Sequence, residues 1–452
     1  MTVFKACDIR GHYGTELTPA FAERLGMAVG AQLGGDSVLV GGDLRPSTKA
    51  LQQALTRGLL HTGCHVLDVG TVPTPAFYFA KNTYGITGGV MVTGSHNPPG
   101  DNGFKVTLGR WPITPEEING LRHAIKHDDF SKSPGRYTQR DVLPAYEASL
   151  QGRFSSTGDQ HIVVDAGNGG YAKIAPRVIS SLGYQVSTLF DKPDGTFPNR
   201  PPNPAIQEHI EALQQKVVRV GADLGVAYDG DGDRAVFVDD NGRFVVSDHS
   251  FVLLIREQLR DRPGKVVYDI KCSRVVAEAT REVGGEPIME RSGHAFIKRT
   301  LLETNALLGG EISGHFFFGE LGYDDALYAT LVMLNILGRD ACIFSALVDS
   351  VPHYPITPDI RLPCPPSKAA QIIEELHQAF IHDPTSEVNT LDGVRIDWKD
   401  GWALARPSVT EPLITLRFEA QSQDRLIALQ ELILSQSATL RSLEMPLTPA
   451  TP

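Results

Sequence analysis

The chain has 452 residues, too many for a single hydrophobic core, so three or four domains are expected. It is 41% hydrophobic and 21% charged, with a net charge of −11. That balance, without a basic stripe, speaks against a nucleic-acid binder, and no apolar run reaches the ~20 residues of a membrane span. The start "MTVFKACDIRG" lacks the basic-then-apolar pattern of a secretory signal. Cys7, Cys64, Cys272, Cys342 and Cys364 are scattered and never in CxxC spacing, which predicts reduced thiols in a cytoplasmic protein.

Along the chain, short apolar runs end repeatedly in Gly-, Asp- or Ser-rich loops. The first unit holds "SVLVGGDLR", "HVLDVGTVPTP" and "GGVMVTGSHNP". The second holds "HIVVDAGNGG", "QVSTLFDKPDG" and "LGVAYDGDGDR", and the third "KVVYDIKCSR", "EPIMERSGH" and "ALLGGEISGH". Such runs read as buried strands. Helical patterns lie between them, such as "STKALQQALTRGLLHTG" with a cap expected at Ser47 and a stop at Gly63. Alternating strand and helix predicts related α/β domains with mixed, largely parallel sheets, over residues 1–140, 141–243 and 244–353. After the Pro-rich segment near Pro352 to Pro366, a smaller α+β domain is expected over 354–452. It should have a helix near Lys368 to Phe380, strands at "VRIDW", "GWALARPS" and "LITLRFEA", and a helix near Asp424 to Ser435. The tail "EMPLTPATP" reads as disordered. Ligands sit beyond the carboxyl ends of parallel strands, so the third loop of each unit should face one shared central cleft.

Four loops carry chemistry. In "DGDGDR", Asp229, Asp231 and Asp233 alternate with glycines at a strand end. Three carboxylates this close repel, and a hard divalent cation, magnesium, relieves the repulsion. An EF-hand would need Gly where Arg234 stands, a haloacid-dehalogenase-type site needs only one nucleophilic Asp, and a solvated acidic turn explains one Asp-Gly pair better than three. In "TGSHNPPGDNGFK", Ser95 sits beside His96. Adjacent residues rarely form a productive Ser–His pair, so phosphoryl transfer through Ser95 fits better than a hydrolase triad, with Lys105 able to return to the same place. Standing alone, Ser95 would read as a turn residue. In "GGEISGH", Glu311, Ser313 and His315 alternate; they suit sugar hydroxyls, and equally a capped helix start. In "RPSVTEP", Arg406, Ser408 and Thr410 suit a phosphate cradle, although in isolation an ordinary hairpin turn reads better. Lys5, Arg10, Arg45, Lys271, Arg291 and Lys298 fall near predicted strand ends and could line an anion-attracting cleft.

Taken together and in order, "FKACDIRG", "TGSHNPPGDNGFK", "DGDGDR", "GEISGH" and "RPSVTEP" resemble the α-D-phosphohexomutase family, over almost the whole chain. "GEISGH" is similar to the "GEMSGH" of its phosphomannomutase/phosphoglucomutase branch. The resemblance implies that Ser95 carries a phosphoryl group and that magnesium is bound by that group with Asp229, Asp231 and Asp233. It implies a hexose 1,6-bisphosphate intermediate between hexose 1-phosphate and 6-phosphate, of mannose or glucose. Lys105 and His294 would be the acid/base groups, and Arg10 and Arg234 would hold or polarise the serine loop. Glu311 and Ser313 would read the sugar hydroxyls, Arg406, Ser408 and Thr410 would hold the phosphate that is not reacting, and His315 and Lys271 would also bind substrate. The expected partner is a phosphorylated hexose, and the expected state a monomer or homodimer.

Two positions depart from the family pattern. Cys7 stands where an aromatic residue is usual, and Val409 where Gly or Asn is usual. A β-branched residue resists positive φ, which predicts a reshaped phosphate cradle. The competing readings are phosphoglucosamine mutase, against which Ile312 speaks weakly because that branch reads "GEQSGH", and a non-catalytic sugar-phosphate sensor.

Overall fold

The computed structural model describes residues 3–127, 129–154, 158–340, 342–408, 412–443 and 445–450. Four sheets follow one another along the chain. Across the first, the strands run Ile9–His12, Asp101–Leu108, Gly88–Val92, Ser37–Gly42, His65–Thr71 and Arg136–Gln139. Across the second they run Phe244–Val245, Ala235–Asp239, Leu224–Tyr228, His161–Asp165 and Gln185–Leu189. Across the third they run Glu286–Glu290, Lys265–Asp269, Leu308–Gly310, Phe316–Phe318 and Tyr323–Asp324.

Each of these three sheets is mixed and built on one plan. A strand paired in parallel on one side turns back through a loop into an antiparallel neighbour on the other. The pairs are Gly88–Val92 with Asp101–Leu108, Leu224–Tyr228 with Ala235–Asp239, and Leu308–Gly310 with Phe316–Phe318. The three turn-back loops are "TGSHNP", "DGDGDR" and "EISGH", so the shared plan sets all three at corresponding strand ends. The inner strands are continuous apolar runs because both faces are covered; Val90, Val92, Val226 and Leu308 are fully buried.

The fourth sheet is wholly antiparallel, in the order Ile360–Pro363, Leu413–Ala420, Gly401–Pro407, Val394–Trp398, Ser386–Asn389. The helices Pro366–Phe380 and Gln423–Gln436 pack on it and on each other. One core cluster runs through the first three sheets, taking in Leu39 and Met91, Ile162 and Val226, and Val266 and Phe316. The fourth sheet has its own, around Ile372, Leu416 and Leu429. A small cluster of Ile270, Trp402 and Leu404 joins it to the third.

Two local expectations fail. Ser47 precedes the helix Thr48–His61 but is itself in the right-handed helical region and makes no side-chain cap. Its Oγ accepts instead from Asn102 Nδ2 at 2.8 Å, tying the helix to the strand Asp101–Leu108. The C-terminal tail is ordered over 445–450: Met445 is buried, and Gln430 exchanges hydrogen bonds with the Thr448 backbone at 2.8 and 2.9 Å. A glutamine buried on a helix needs partners for both ends of its amide, and the tail backbone supplies them.

Candidate active site

The strand Gly88–Val92 delivers Ser95 into the protein interior, 2% exposed. Its φ of +48° lies in the left-handed region that a residue with a Cβ rarely adopts, so the surroundings must hold it there. Two arginines do so, each in an Asp-x-Arg sequence. Arg45 pairs with Asp43 at 3.2 Å and donates to the carbonyls of Ser95 at 2.8 Å, Asn97 at 2.6 Å and Asp101 at 2.9 Å. Arg10 pairs with Asp8 at 2.8 Å and donates to the Thr93 carbonyl. Two glycines let the parts meet. A Cβ on Gly94 would lie 2.3 Å from the Arg45 guanidinium, and one on Gly230 would lie 2.6 Å from the Ser95 carbonyl oxygen.

Ser95 Oγ donates to Asp229 Oδ2 at 2.9 Å. The other Asp229 oxygen accepts from the backbone N–H groups of Gly232, Asp233 and Arg234 at 2.9, 3.1 and 3.3 Å. Asp231 Oδ2 accepts from Thr74 Oγ1 at 2.7 Å, Thr93 Oγ1 at 3.0 Å and Lys105 Nζ at 2.9 Å. Lys105 also pairs with Asp233. The remaining oxygens, Asp231 Oδ1 and Asp233 Oδ1, are buried with no hydrogen-bond partner. Burial pushes the Asp229 carboxyl well up, helped by the charges of Asp233 and Asp231. Asp231 goes the other way: Lys105 and the Thr74 hydroxyl outweigh burial and hold it well below the usual range. Three carboxylates within reach of one atom-sized point, two with an orphaned oxygen, fit a hard divalent cation.

A second layer comes from the third sheet. Arg234 Nε donates to His315 Nε2 at 2.9 Å, and His315 Nδ1 bonds Asp324 Oδ2 at 2.7 Å. The His315 ring stacks on His294, with centroids 6.1 Å apart. Burial and the nearby Lys105 charge push His294 down to about 4, so its imidazole is neutral at physiological pH. These groups open onto a cleft with two lobes. One, of about 670 Å³, is lined among others by Arg10, Ser95, Lys105, Arg234, His294 and His315. The other, of about 490 Å³, reaches Cys7, Lys271, Asp359, Arg406 and Ser408. Lys5, Asp8, His96, His294 and Arg361 line both.

Ser95, Lys105, His294, Arg10, Arg234, His315, Lys271, Arg406 and Ser408 thus share one cleft, with the three aspartates beneath Ser95. Glu311 and Ser313 line neither lobe: Ser313 Oγ donates to Glu311 Oε2 at 2.8 Å, and Glu311 Oε1 is buried without a partner. The "EISGH" segment is a turn between strands, not a helix start. Thr410 and Val409 lie outside the described residues, and with them the expected reshaping of the cradle. Sequence reading passed over Asp8, Asp43, Thr74, Thr93, Asp324 and Asp359. The repeated Asp-x-Arg, "CDIR" and "GGDLR", was the available signal for the first two. Thr74 carries none, because only the packing of separate units brings it to the site; Asp324 meets His315 within one sheet, through the antiparallel pairing of neighbouring strands.

A buried serine against a carboxylate cluster, below a cation-lined cleft on mixed α/β sheets, is the equipment of an enzyme that moves phosphoryl groups. Residues 1–132, 145–242 and 246–354 match Phosphoglucomutase/phosphomannomutase, alpha/beta/alpha domains I, II and III, and residues 360–436 match the C-terminal domain of the same family. A phosphomannomutase/phosphoglucomutase of Pseudomonas aeruginosa is 38% identical over 452 residues, covering 98% of this chain and 97% of that protein. A phosphoglucomutase of Neisseria gonorrhoeae is 38% identical over 437 residues, covering 95% of each. The crystal structure of a phosphoglucomutase/phosphomannomutase family protein from Burkholderia thailandensis superposes with a TM-score of 0.91 at 38% identity, over 100% of this chain and 99% of that one. This chain belongs to the phosphoglucomutase/phosphomannomutase family.

Proposed function

We propose that the protein interconverts hexose 1-phosphate and hexose 6-phosphate, of mannose, glucose or both, through a phosphoserine at Ser95 and a hexose 1,6-bisphosphate. The observation that carries this reading is the Ser95 hydroxyl on Asp229, held at positive φ above two orphaned carboxylate oxygens. Asp229, Asp231 and Asp233 would hold magnesium, whose charge would offset that of a phosphate on Ser95.

In the first transfer a sugar hydroxyl oxygen bonds to phosphorus as the phosphorus–Ser95 Oγ bond breaks. His294 takes the hydroxyl proton and Lys105 supplies one to Ser95 Oγ. The bisphosphate turns over in the cleft; in the second transfer Ser95 Oγ takes the other phosphate as the bond from its phosphorus to the sugar oxygen breaks, the Ser95 hydroxyl proton returns to Lys105, and His294 gives its proton to that sugar oxygen. Arg10 and Arg45 hold the serine loop, and Arg234 fixes His315 beside His294. Lys271, Arg406, Ser408 and Thr410 receive the phosphate that is not reacting. Glu311 and Ser313, already bonded to each other, would have to exchange that contact for sugar hydroxyls. Cysteines scattered along the chain and never in CxxC spacing support a cytoplasmic, reducing location, and the working form is a monomer or homodimer.

The test is intact mass together with turnover. A phosphorylated fraction that maps to Ser95 and disappears on adding substrate supports the reading; phosphate on another residue, with Ser95→Ala still active, defeats it. Comparing glucose 1-phosphate, mannose 1-phosphate and glucosamine 1-phosphate separates this activity from that of a phosphoglucosamine mutase. No turnover of any of them would favour a sensor.

A further inference from the structure

The phosphate-side lobe pairs its cations with carboxylates. Lys271, on the loop after the strand Lys265–Asp269, meets Asp359 Oδ2 at 3.2 Å. Arg417, on the strand Leu413–Ala420, reaches Asp359 Oδ1 at 3.4 Å. Arg406 pairs with Asp392 at 2.9 Å. Burial pushes the Asp359 carboxyl up, but Lys271 and Arg417 outweigh it and hold it below the ordinary range, so it is anionic at neutral pH. Its side chain is 31% exposed and lines the lobe, so an entering anion meets it directly. Lys5, Lys271, Arg361 and Arg406 line this lobe together with Asp8 and Asp359.

A cradle built only to hold phosphate would omit Asp359, because a like charge beside a bound anion is strongly unfavourable. We propose that Asp359, anchored by Arg417, is a positioning residue that competes with the substrate's phosphate for Lys271, and so limits how tightly the cleft grips it. The inference rests on the mutase reading above. A bisphosphate that must turn over has to be let go by the cradle once in every cycle, and a cleft that binds the ground state too well slows that step. When phosphate enters, Lys271 exchanges a carboxylate for a phosphate oxygen while Asp359 keeps Arg417. The exchange also undoes one tie between the third and fourth sheets, since Lys271 belongs to one and Asp359 to the other. Asp392 is less suited to a test, because it also accepts the Ser292 backbone N–H at 3.3 Å and has a structural duty.

Calorimetric titration of inorganic phosphate into the intact protein reads the grip without turnover. Asp359→Asn should bind phosphate about tenfold more tightly than the parent, and Asp359→Glu should bind it like the parent. Because the gain runs through Lys271, the same Asn substitution in a Lys271→Met background should gain about threefold or less. With hexose 1-phosphate, Asp359→Asn should lower KM and kcat together, a split that a damaged fold does not produce. Phosphate binding unchanged or weaker in Asp359→Asn, or a lower kcat with a raised KM, overturns the proposal. The parent's own turnover tests the mutase reading separately. A parent that interconverts nothing, while Asp359→Asn still tightens phosphate, defeats that reading and leaves the competition for Lys271 standing.

Discussion

The two ends of the cleft are held by different means. At the serine end the polar groups are buried and several have many partners: Asp231 Oδ2 accepts three donors, and Arg45 donates to the carbonyls of Ser95, Asn97, Pro98 and Asp101 and to its own aspartate. That end stands on the core shared by the first three sheets. At the phosphate end, Lys271, Arg406 and Arg417 rest on carboxylates, half-buried, and the sheet beneath has a separate core. Buried, multiply bonded groups fix a geometry, and losing one strands the others. Ion pairs that keep some contact with solvent exchange partners more readily than fully buried ones. The difference suits a reaction in which phosphorus must meet Ser95 at one place while the far phosphate is seized and released.

Several substitutions would break or sharpen that contrast. Ser95→Ala should lower turnover at least ~10³-fold, since the group that carries the phosphate is gone, with no loss of melting temperature. Arg45→Met should cost about 3–5 kcal/mol of stability in denaturant unfolding, because Asp43 is left as an unpaired buried charge; a loss under 1 kcal/mol would mean the serine end is no more rigid than the phosphate end. Arg406→Ala, by contrast, should lower kcat/KM about ten- to a hundredfold in both directions while leaving stability nearly untouched. An effect confined to one direction would first indicate an assay artefact, since the overall equilibrium constant ties the two together.

The smallest effect concerns the joint between the two ends. Glu419, buried on the strand Leu413–Ala420, accepts from Trp402 Nε1 at 3.0 Å and from the Arg274 backbone N–H at 3.1 Å, bridging the third and fourth sheets. Burial raises its carboxyl from 4.5 to about 7, outweighing the contacts from Ser273 and Arg274. The folded protein therefore holds this proton more tightly than the unfolded chain does. Its contribution to stability is full below about pH 4.5, falls as pH rises towards 7, and is flat above. Glu419→Gln should flatten that part of the melting-temperature profile; an unaltered slope would place the titration elsewhere.

Much of this was legible in the sequence because it is local. Val-, Ile- and Leu-rich runs ending in Gly-rich loops declare buried strands, and Asp229, Asp231 and Asp233 declare a cation site wherever the strand end points. Recognising the same run-and-loop plan three times was enough to expect one cleft. What the chain alone did not reveal depends on contacts between residues far apart. Ser47 reads as a cap from its neighbours, but Asn102, 55 positions away, takes its hydroxyl. The tail reads as disordered from its composition, yet Gln430 holds it. Thr74 and Asp359 reach the cleft only once separate sheets pack, and their pairing with Asp231 and Lys271 decides where charge sits in the site. Local pattern determined which residues carry chemistry, because strand period and loop composition act within a few residues. The partners that tune those residues were decided by tertiary packing, because a buried charge is stabilised by whatever the fold brings within hydrogen-bond reach.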